Sequence, residues 1–143
     1  MALTINYSDK LNDHDSYLNI LKLLQKKCDY IELLIIDGKD KESNPIVREF
    51  KDDIILVRKG YNGYPTLNNI VYLKSSKKIF DYLAQYETFC KYYNDKKVEN
   101  DCDRYENTDF GFDDIGFYDK DGNILLGTIT HECSIGISDE LLK

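Results

Sequence analysis

The densest group of reactive side chains in this sequence is Thr130-His131-Glu132-Cys133. A histidine beside a glutamate could transfer protons, and a histidine with a cysteine could bind zinc or activate a thiolate. The segment is typical of the end of a strand, where adjacent side chains point to opposite faces, so only His131 and Cys133 share a face. Structural zinc needs four ligands, and the other histidine of the chain, His14, lies near its start. We interpret the group as polar residues at a strand end, and an enzyme acting through His131 and Cys133 is an alternative hypothesis.

Acidic residues alternate in Asp119-Lys120-Asp121-Gly122-Asn123 as they do in a calcium-binding loop. An EF-hand loop has glycine at its sixth position and a bidentate glutamate at its twelfth, whereas here Gly122 is fourth and Thr130 is twelfth. The segment from Asp119 to Gly122 instead predicts a type I turn between two strands, with the glycine at positive φ. We therefore expect neither a metal nor an organic cofactor.

Two glycines and two tyrosines alternate in the loop Gly60-Tyr61-Asn62-Gly63-Tyr64-Pro65. The loop lacks the spacing of a phosphate-binding P-loop, and the sequence contains no GxSxG, HExxH or GxGxxG motif. Tyrosine presents a large, rigid surface with a polar tip, which suits contact with a partner. Tyr61 and Tyr64 are therefore candidate contact residues, and a plain turn with packed tyrosines is the alternative.

Acidic residues are most concentrated in residues 94–114, which contain eight acidic and three basic residues. The whole chain has a net charge of −7. Such a field repels nucleic acid and anionic lipid and attracts a basic protein surface. Aromatic residues are interleaved with the acids and could anchor a partner, although the stretch could also be only a solvated loop. The predicted partner-binding residues are Asp95, Glu99, Asp101, Asp103, Tyr105, Glu106, Asp109 and Phe110, together with Tyr61 and Tyr64.

Length and composition indicate one domain over residues 1–143, with the acidic surface loop at about 94–113. The first residues lack the pattern of a signal peptide, and no apolar run approaches the roughly 20 residues that span a bilayer. We expect a cytoplasmic protein. Its cysteines are widely separated and form no CxxC pair, which indicates free thiols: Cys28, Cys90, Cys102 and Cys133.

Periodicity of the apolar residues predicts an α+β fold. One helix is capped by Asp13 or Asp15, and a second runs from Ser75 or Ser76 to about Tyr93. A brief helical turn begins near Pro45, and a short helix begins at Ser138. Strands are predicted at residues 30–37, 53–58, 69–74, 114–118, 123–130 and 133–137. We expect a mainly antiparallel or mixed sheet of five to six strands, with the two main helices packed on one face.

Residues 115–132, IGFYDKDGNILLGTITHE, resemble the closing hairpins of several bacterial families close to the immunity proteins of polymorphic-toxin and contact-dependent inhibition systems. The small size, acidity and lack of an active-site motif are similar as well. This resemblance implies a non-enzymatic inhibitor that covers the basic active site of a toxin, often a nuclease, with acidic side chains. A small bacterial regulatory or adaptor module is the alternative within the protein-binding class.

Reversing three acids of the stretch tests its role. We expect Asp101→Lys, Asp103→Lys and Glu106→Lys together to slow association with a basic partner about tenfold at low salt, because they remove electrostatic steering. Tyr105→Ala or Phe110→Ala should instead accelerate dissociation, since a buried anchor acts on the off-rate. Stopped-flow kinetics over a salt series measures both rates. Unchanged association of the triple variant would leave the stretch as a solvated loop.

Overall fold

The computed structural model describes residues 5–7, 10–11, 13–35, 44–59, 69–89, 91–92, 114–129 and 134–143. In these ranges the strands are β1 (Ile5–Asn6), β2 (Tyr30–Ile35), β3 (Ile54–Lys59), β4 (Asn69–Lys74), β5 (Tyr86–Thr88), β6 (Lys91–Tyr92), β7 (Asp114–Tyr118), β8 (Ile124–Ile129) and β9 (Ser134–Ile137). The α-helices are α1 (His14–Lys27), α2 (Pro45–Glu49), α3 (Lys77–Leu83) and α4 (Asp139–Leu142), and a 3-10 turn covers Lys51–Asp53.

Seven strands form one antiparallel sheet in the order β1-β9-β8-β7-β2-β4-β3, and β5 pairs with β6 separately. The α+β class is confirmed, and all six predicted strands belong to the large sheet. The seventh strand, β1, was not predicted because two residues are too few for an alternating pattern. It adds to the edge of β9, where Ile5 pairs with Ile137.

The first predicted helix is confirmed as α1. Asp13 caps it, because its carboxylate accepts a hydrogen bond from the backbone N–H of Ser16 at 2.8 Å. Its buried face consists of Tyr17, Ile20, Leu21 and Leu24. The Tyr17 hydroxyl donates a hydrogen bond to the backbone carbonyl of Leu83, and this bond ties α1 to the end of α3.

The second predicted helix was expected to reach Tyr93, and this extent is wrong. Helix α3 ends at Leu83, and after a turn the chain continues as strand β5. Aromatic and β-branched residues dominate this segment, and they favour an extended backbone over a helix. Tyr86 and Phe89 are nevertheless buried, and the centroid of the Phe89 ring lies 4.9 Å from that of Tyr17.

The predicted turn between β7 and β8 is confirmed. Gly122 has φ of +83°, which a side chain would disfavour, and its N–H donates to the carbonyl of Asp119 at 3.1 Å. The Asp119 carboxylate accepts hydrogen bonds from the N–H groups of Asp121 and Asn123, both at 2.9 Å. The acid at the start of this segment thus stabilises the turn.

The C-terminal helix α4, also predicted, is held by a lysine from α1. The Lys27 ammonium donates to the carbonyls of Glu140, Leu141 and Lys143 at 2.6, 3.4 and 3.2 Å. A cation at this position interacts favourably with the carbonyl groups that end a helix.

In the residues that the structure describes, no helix combines the length and apolarity needed to cross a membrane.

The core lies between the helices and one face of the sheet. Along β2, Ile31, Leu33 and Ile35 are fully buried there, whereas Tyr30 and Glu32 alternate with them and are half-buried. These two point to the opposite face, which we call the outer face. Because side chains alternate along a strand, the same strands that form the core also position the outer face.

Introducing a charge into this core should unfold the domain. We expect Leu24→Asp to lower the free energy of unfolding by about 3 kcal/mol or more, because an unpaired carboxylate replaces a fully buried side chain. Gln25→Asp, at the next and exposed position of α1, is the matched control and should have a small effect. Thermal and urea unfolding followed by circular dichroism measures both, and equal stability of the two variants would contradict the assigned helix face.

Candidate functional site on the outer face

One line of residues crosses the outer face from edge to edge. The pairing registers place in succession Asn6, Gly136, Gly127, Gly116, Glu32, Tyr72 and Leu56. Three neighbouring strands therefore contribute glycine, and the next three contribute an acid, an aromatic and an aliphatic side chain. The functional groups of the outer face are concentrated on β2, β4 and β3.

Glu32 is the centre of a group of contacting side chains that we call the Glu32 cluster, with Tyr72, Tyr118 and Arg58 joined by hydrogen bonds and Tyr30 by ring contacts. One carboxylate oxygen accepts a hydrogen bond from the Tyr72 hydroxyl at 2.8 Å, and the other accepts one from the Tyr118 hydroxyl at 3.2 Å. Arg58 donates to the Tyr72 hydroxyl through Nε at 3.2 Å and Nη2 at 2.9 Å. The carboxylate and the guanidinium thus hold Tyr72 from both sides.

The tyrosine rings of the Glu32 cluster also contact one another. Tyr30 stacks on Tyr118 with ring centroids 5.0 Å apart and an interplanar angle of 2°, and it meets Tyr72 edge-on at 5.9 Å. Glycine at position 116 makes room for this packing, because a Cβ there would lie 3.2 Å from the Tyr118 ring and 3.6 Å from the Glu32 carboxylate. The rings are therefore fixed before any partner arrives.

The surroundings of two of these tyrosines favour their neutral form. Burial raises the pKa of Tyr72, and the hydrogen bond to Glu32 raises it further, while Arg58 acts in the opposite direction. Burial also raises the pKa of Tyr30, with the negative charge of Glu32 as the next cause. Both hydroxyls consequently remain protonated donors at neutral pH.

A groove runs beside the Glu32 cluster towards the edge of the sheet. It has a volume of about 540 Å³ and is lined by Asp29, Tyr30, Ile55, Leu56, Arg58 and Tyr72. Two of these lining residues, Ile55 and Leu56, are aliphatic and are exposed by 61% and 53%. The site thus combines an apolar rim, fixed aromatic rings and charges of both signs.

Cys28 lies at the end of α1 and is a free thiol, as predicted. It is half-buried, and its Sγ contacts the carbonyl oxygen of Tyr30 at 3.3 Å. Burial raises the pKa of the Cys28 thiol to about 11, which leaves almost no thiolate at neutral pH. This cysteine is therefore a packing residue and a poor nucleophile.

The partner-binding and catalytic residues predicted from the sequence lie outside the described ranges. This applies to the acidic stretch at 94–113, to Tyr61 and Tyr64, and to His131 and Cys133. Their roles as contact or catalytic residues stay predictions. Among the described residues, no three histidine, cysteine or acidic side chains are grouped so that they could hold a metal ion.

Comparison of the chain with protein-family models, with curated proteins and with solved structures finds no match.

Sequence reasoning missed the Glu32 cluster, although part of its signal was present. Alternation along 30–35 places Tyr30 and Glu32 on one face of a strand, and Tyr72 and Tyr118 occupy similar positions in their own strands. The missing information was the strand order, which brings β7 and β4 to either side of β2.

The charge of Glu32 should be measurable through its tyrosine neighbours. We expect Glu32→Gln to lower the pKa of Tyr72 and of Tyr30 towards the usual value of about 10, because the negative charge that opposes phenolate formation is gone. Spectroscopic titration of phenolate measures this, with Tyr72→Phe to assign the signal. Asp81→Asn, in the exposed part of α3, is the control and should change neither pKa.

The raised pKa of Tyr72 also predicts how the free energy of unfolding depends on pH. Because the folded-state pKa of Tyr72 lies above its unfolded value, the unfolded chain loses its proton first, and stability falls as the pH rises above about 10. This loss of stability at high pH should be smaller in the Glu32→Gln variant than in the parent. A larger loss in the variant would contradict the assigned contact.

Proposed function

We propose that this protein is a non-enzymatic, cytoplasmic protein-binding protein, and specifically an immunity protein that neutralises a cognate toxin domain with a basic surface. The observation that carries the proposal is the outer-face site, where exposed aliphatic residues border a groove walled by fixed tyrosines and an arginine. Tyrosine and arginine are enriched among the residues that contribute most binding energy at protein interfaces.

The apolar part of the site supports a macromolecular partner. Of the five large hydrophobic side chains exposed in the described residues, Ile55 and Leu56 are neighbours and both line the groove. Single exposed hydrophobic residues are common on protein surfaces, whereas a contiguous group beside a groove is typical of an interaction site. Covering these side chains would remove apolar surface from water, which favours association.

The rigidity of the site supports affinity. Binding loses free energy when side chains have to be ordered at the interface. In the Glu32 cluster this ordering is already present, because Tyr72 and Tyr118 are hydrogen-bonded to Glu32 and Tyr30 stacks on Tyr118. A partner that contacts these rings meets a preorganised surface.

The charges support a basic partner. The chain carries a net charge of −7, and the groove holds the carboxylate of Asp29 as well as the guanidinium of Arg58. The predicted acidic stretch ends where β7 begins, and β7 pairs with β2, the strand of Glu32. Acidic residues would steer a basic partner towards the protein, and the outer-face site would supply the apolar contacts.

Two leucines of similar exposure allow a matched test of the surface. Leu56 lies on the outer face and is 53% exposed, and Leu142 lies on α4 and is 46% exposed. We expect Leu56→Ser to weaken binding of the cognate partner about tenfold or more, because it removes an apolar contact at the interface, and Leu142→Ser to leave binding unchanged.

The partner is first captured from the producing cell with the parent protein as bait and identified by mass spectrometry. Its affinity for the parent and the two serine variants is then measured by calorimetry. An immunity protein requires that the captured protein is a toxin and that the parent blocks its activity in a purified assay. Equal affinity of all three proteins would exclude the outer face as the binding surface, and a captured protein without toxin activity would overturn the immunity assignment.

A further inference from the structure

Strand β3 forms one edge of the seven-stranded sheet and pairs on one side with β4. Every residue from Ile55 to Lys59 is exposed, and among the described residues β4 is the strand that pairs with β3. A strand edge presents backbone N–H and C=O groups that can pair with a further strand. Folded proteins usually protect such an edge with charges, proline or a bulge. In β3 the first four residues, 54–57, are aliphatic, and the charged Arg58 and Lys59 occupy the last two positions.

The charges near β3 are instead placed at its two ends, and they differ in sign. Asp52 and Asp53 precede the strand, and Arg58 and Lys59 end it. If a second copy of the strand lies antiparallel, the acidic end of each copy meets the basic end of the other. A parallel arrangement would bring like charges together. The strand is therefore complementary to itself in one orientation.

We propose that two copies of this chain associate through antiparallel pairing of their β3 strands, about a twofold axis near Leu56. The two sheets then form one continuous sheet, with the isologous geometry that is usual for dimers. A bulge interrupts the pairing of β3 with β4 between Ile54 and Leu56, and a regular register resumes from Leu56 to Lys59. Pairing about Leu56 therefore sets the regular half of each strand against the bulged half of the other copy.

The dimer would also enlarge the outer-face site. Leu56 lines the groove of its own copy and lies next to the axis, so the Leu56 side chain of the partner copy would extend the apolar rim of the same groove. A single pair of six-residue strands is a small interface, and we expect a dissociation constant between about 10 µM and 1 mM for the isolated protein.

Charge reversal provides the test, measured by sedimentation velocity across that concentration range. We expect Lys59→Glu and Asp53→Lys, each alone, to weaken the dimer about tenfold, because each places like charges opposite one another at both ends of the interface. An equimolar mixture of the two variants should recover the affinity of the parent, since each contact then joins opposite charges again. Lys22→Glu, an exposed reversal on α1, should leave the dimer unchanged.

Recovery of dimer affinity when the two variants are mixed distinguishes antiparallel β3 pairing from other modes of association. A parent protein that stays monomeric up to about 1 mM overturns the proposal, and so does a mixture that remains as weak as its components. Circular dichroism checks that each variant is folded, and Asp52→Lys, at a more exposed position, replaces Asp53→Lys if that variant is unstable. The measurement uses the purified chain alone, so its outcome is independent of the toxin-binding function.

Discussion

The alternation of side chains along β2 is the constraint on which both the core and the outer face depend. Ile31, Leu33 and Ile35 have to lie under the helices, and this places Tyr30 and Glu32 on the opposite side. A register shift of one residue would exchange the two sets, exposing the core residues and burying a carboxylate. Because β2 pairs with β7 on one side and β4 on the other, its register also determines which residues surround Glu32.

The Glu32 cluster is built from a carboxylate that serves as an acceptor for two hydroxyl groups. This arrangement fixes three aromatic rings on a sheet face that would otherwise carry mobile side chains, and the glycine at position 116 leaves space for it. The aliphatic residues of β3 continue the surface to the edge of the sheet. Ordered rings and an exposed apolar rim are the features of this surface that support the proposed protein partner.

Local patterns in the sequence predicted the strands and the first helix well, because each depends on the periodicity of nearby residues. The helix proposed to reach Tyr93 was wrong because Tyr86 and Phe89 fit the buried positions of either a helix or a strand, and periodicity cannot separate the two. The Glu32 cluster could not be predicted because it depends on which strands are neighbours. The acidic stretch lies outside the described residues, so its predicted role rests on the sequence alone.

The position of β7 in the sheet has a consequence for how the chain matures. Strand β2 is synthesised well before one of its two neighbours, β7, which follows β3 and β4 along the chain. Until then, β2, β4 and β3 can form a partial sheet in which the apolar β2 is itself an unpaired edge. Such an edge is prone to aggregation while translation of the chain continues. The nascent chain therefore passes through an interval in which chaperone protection would matter most.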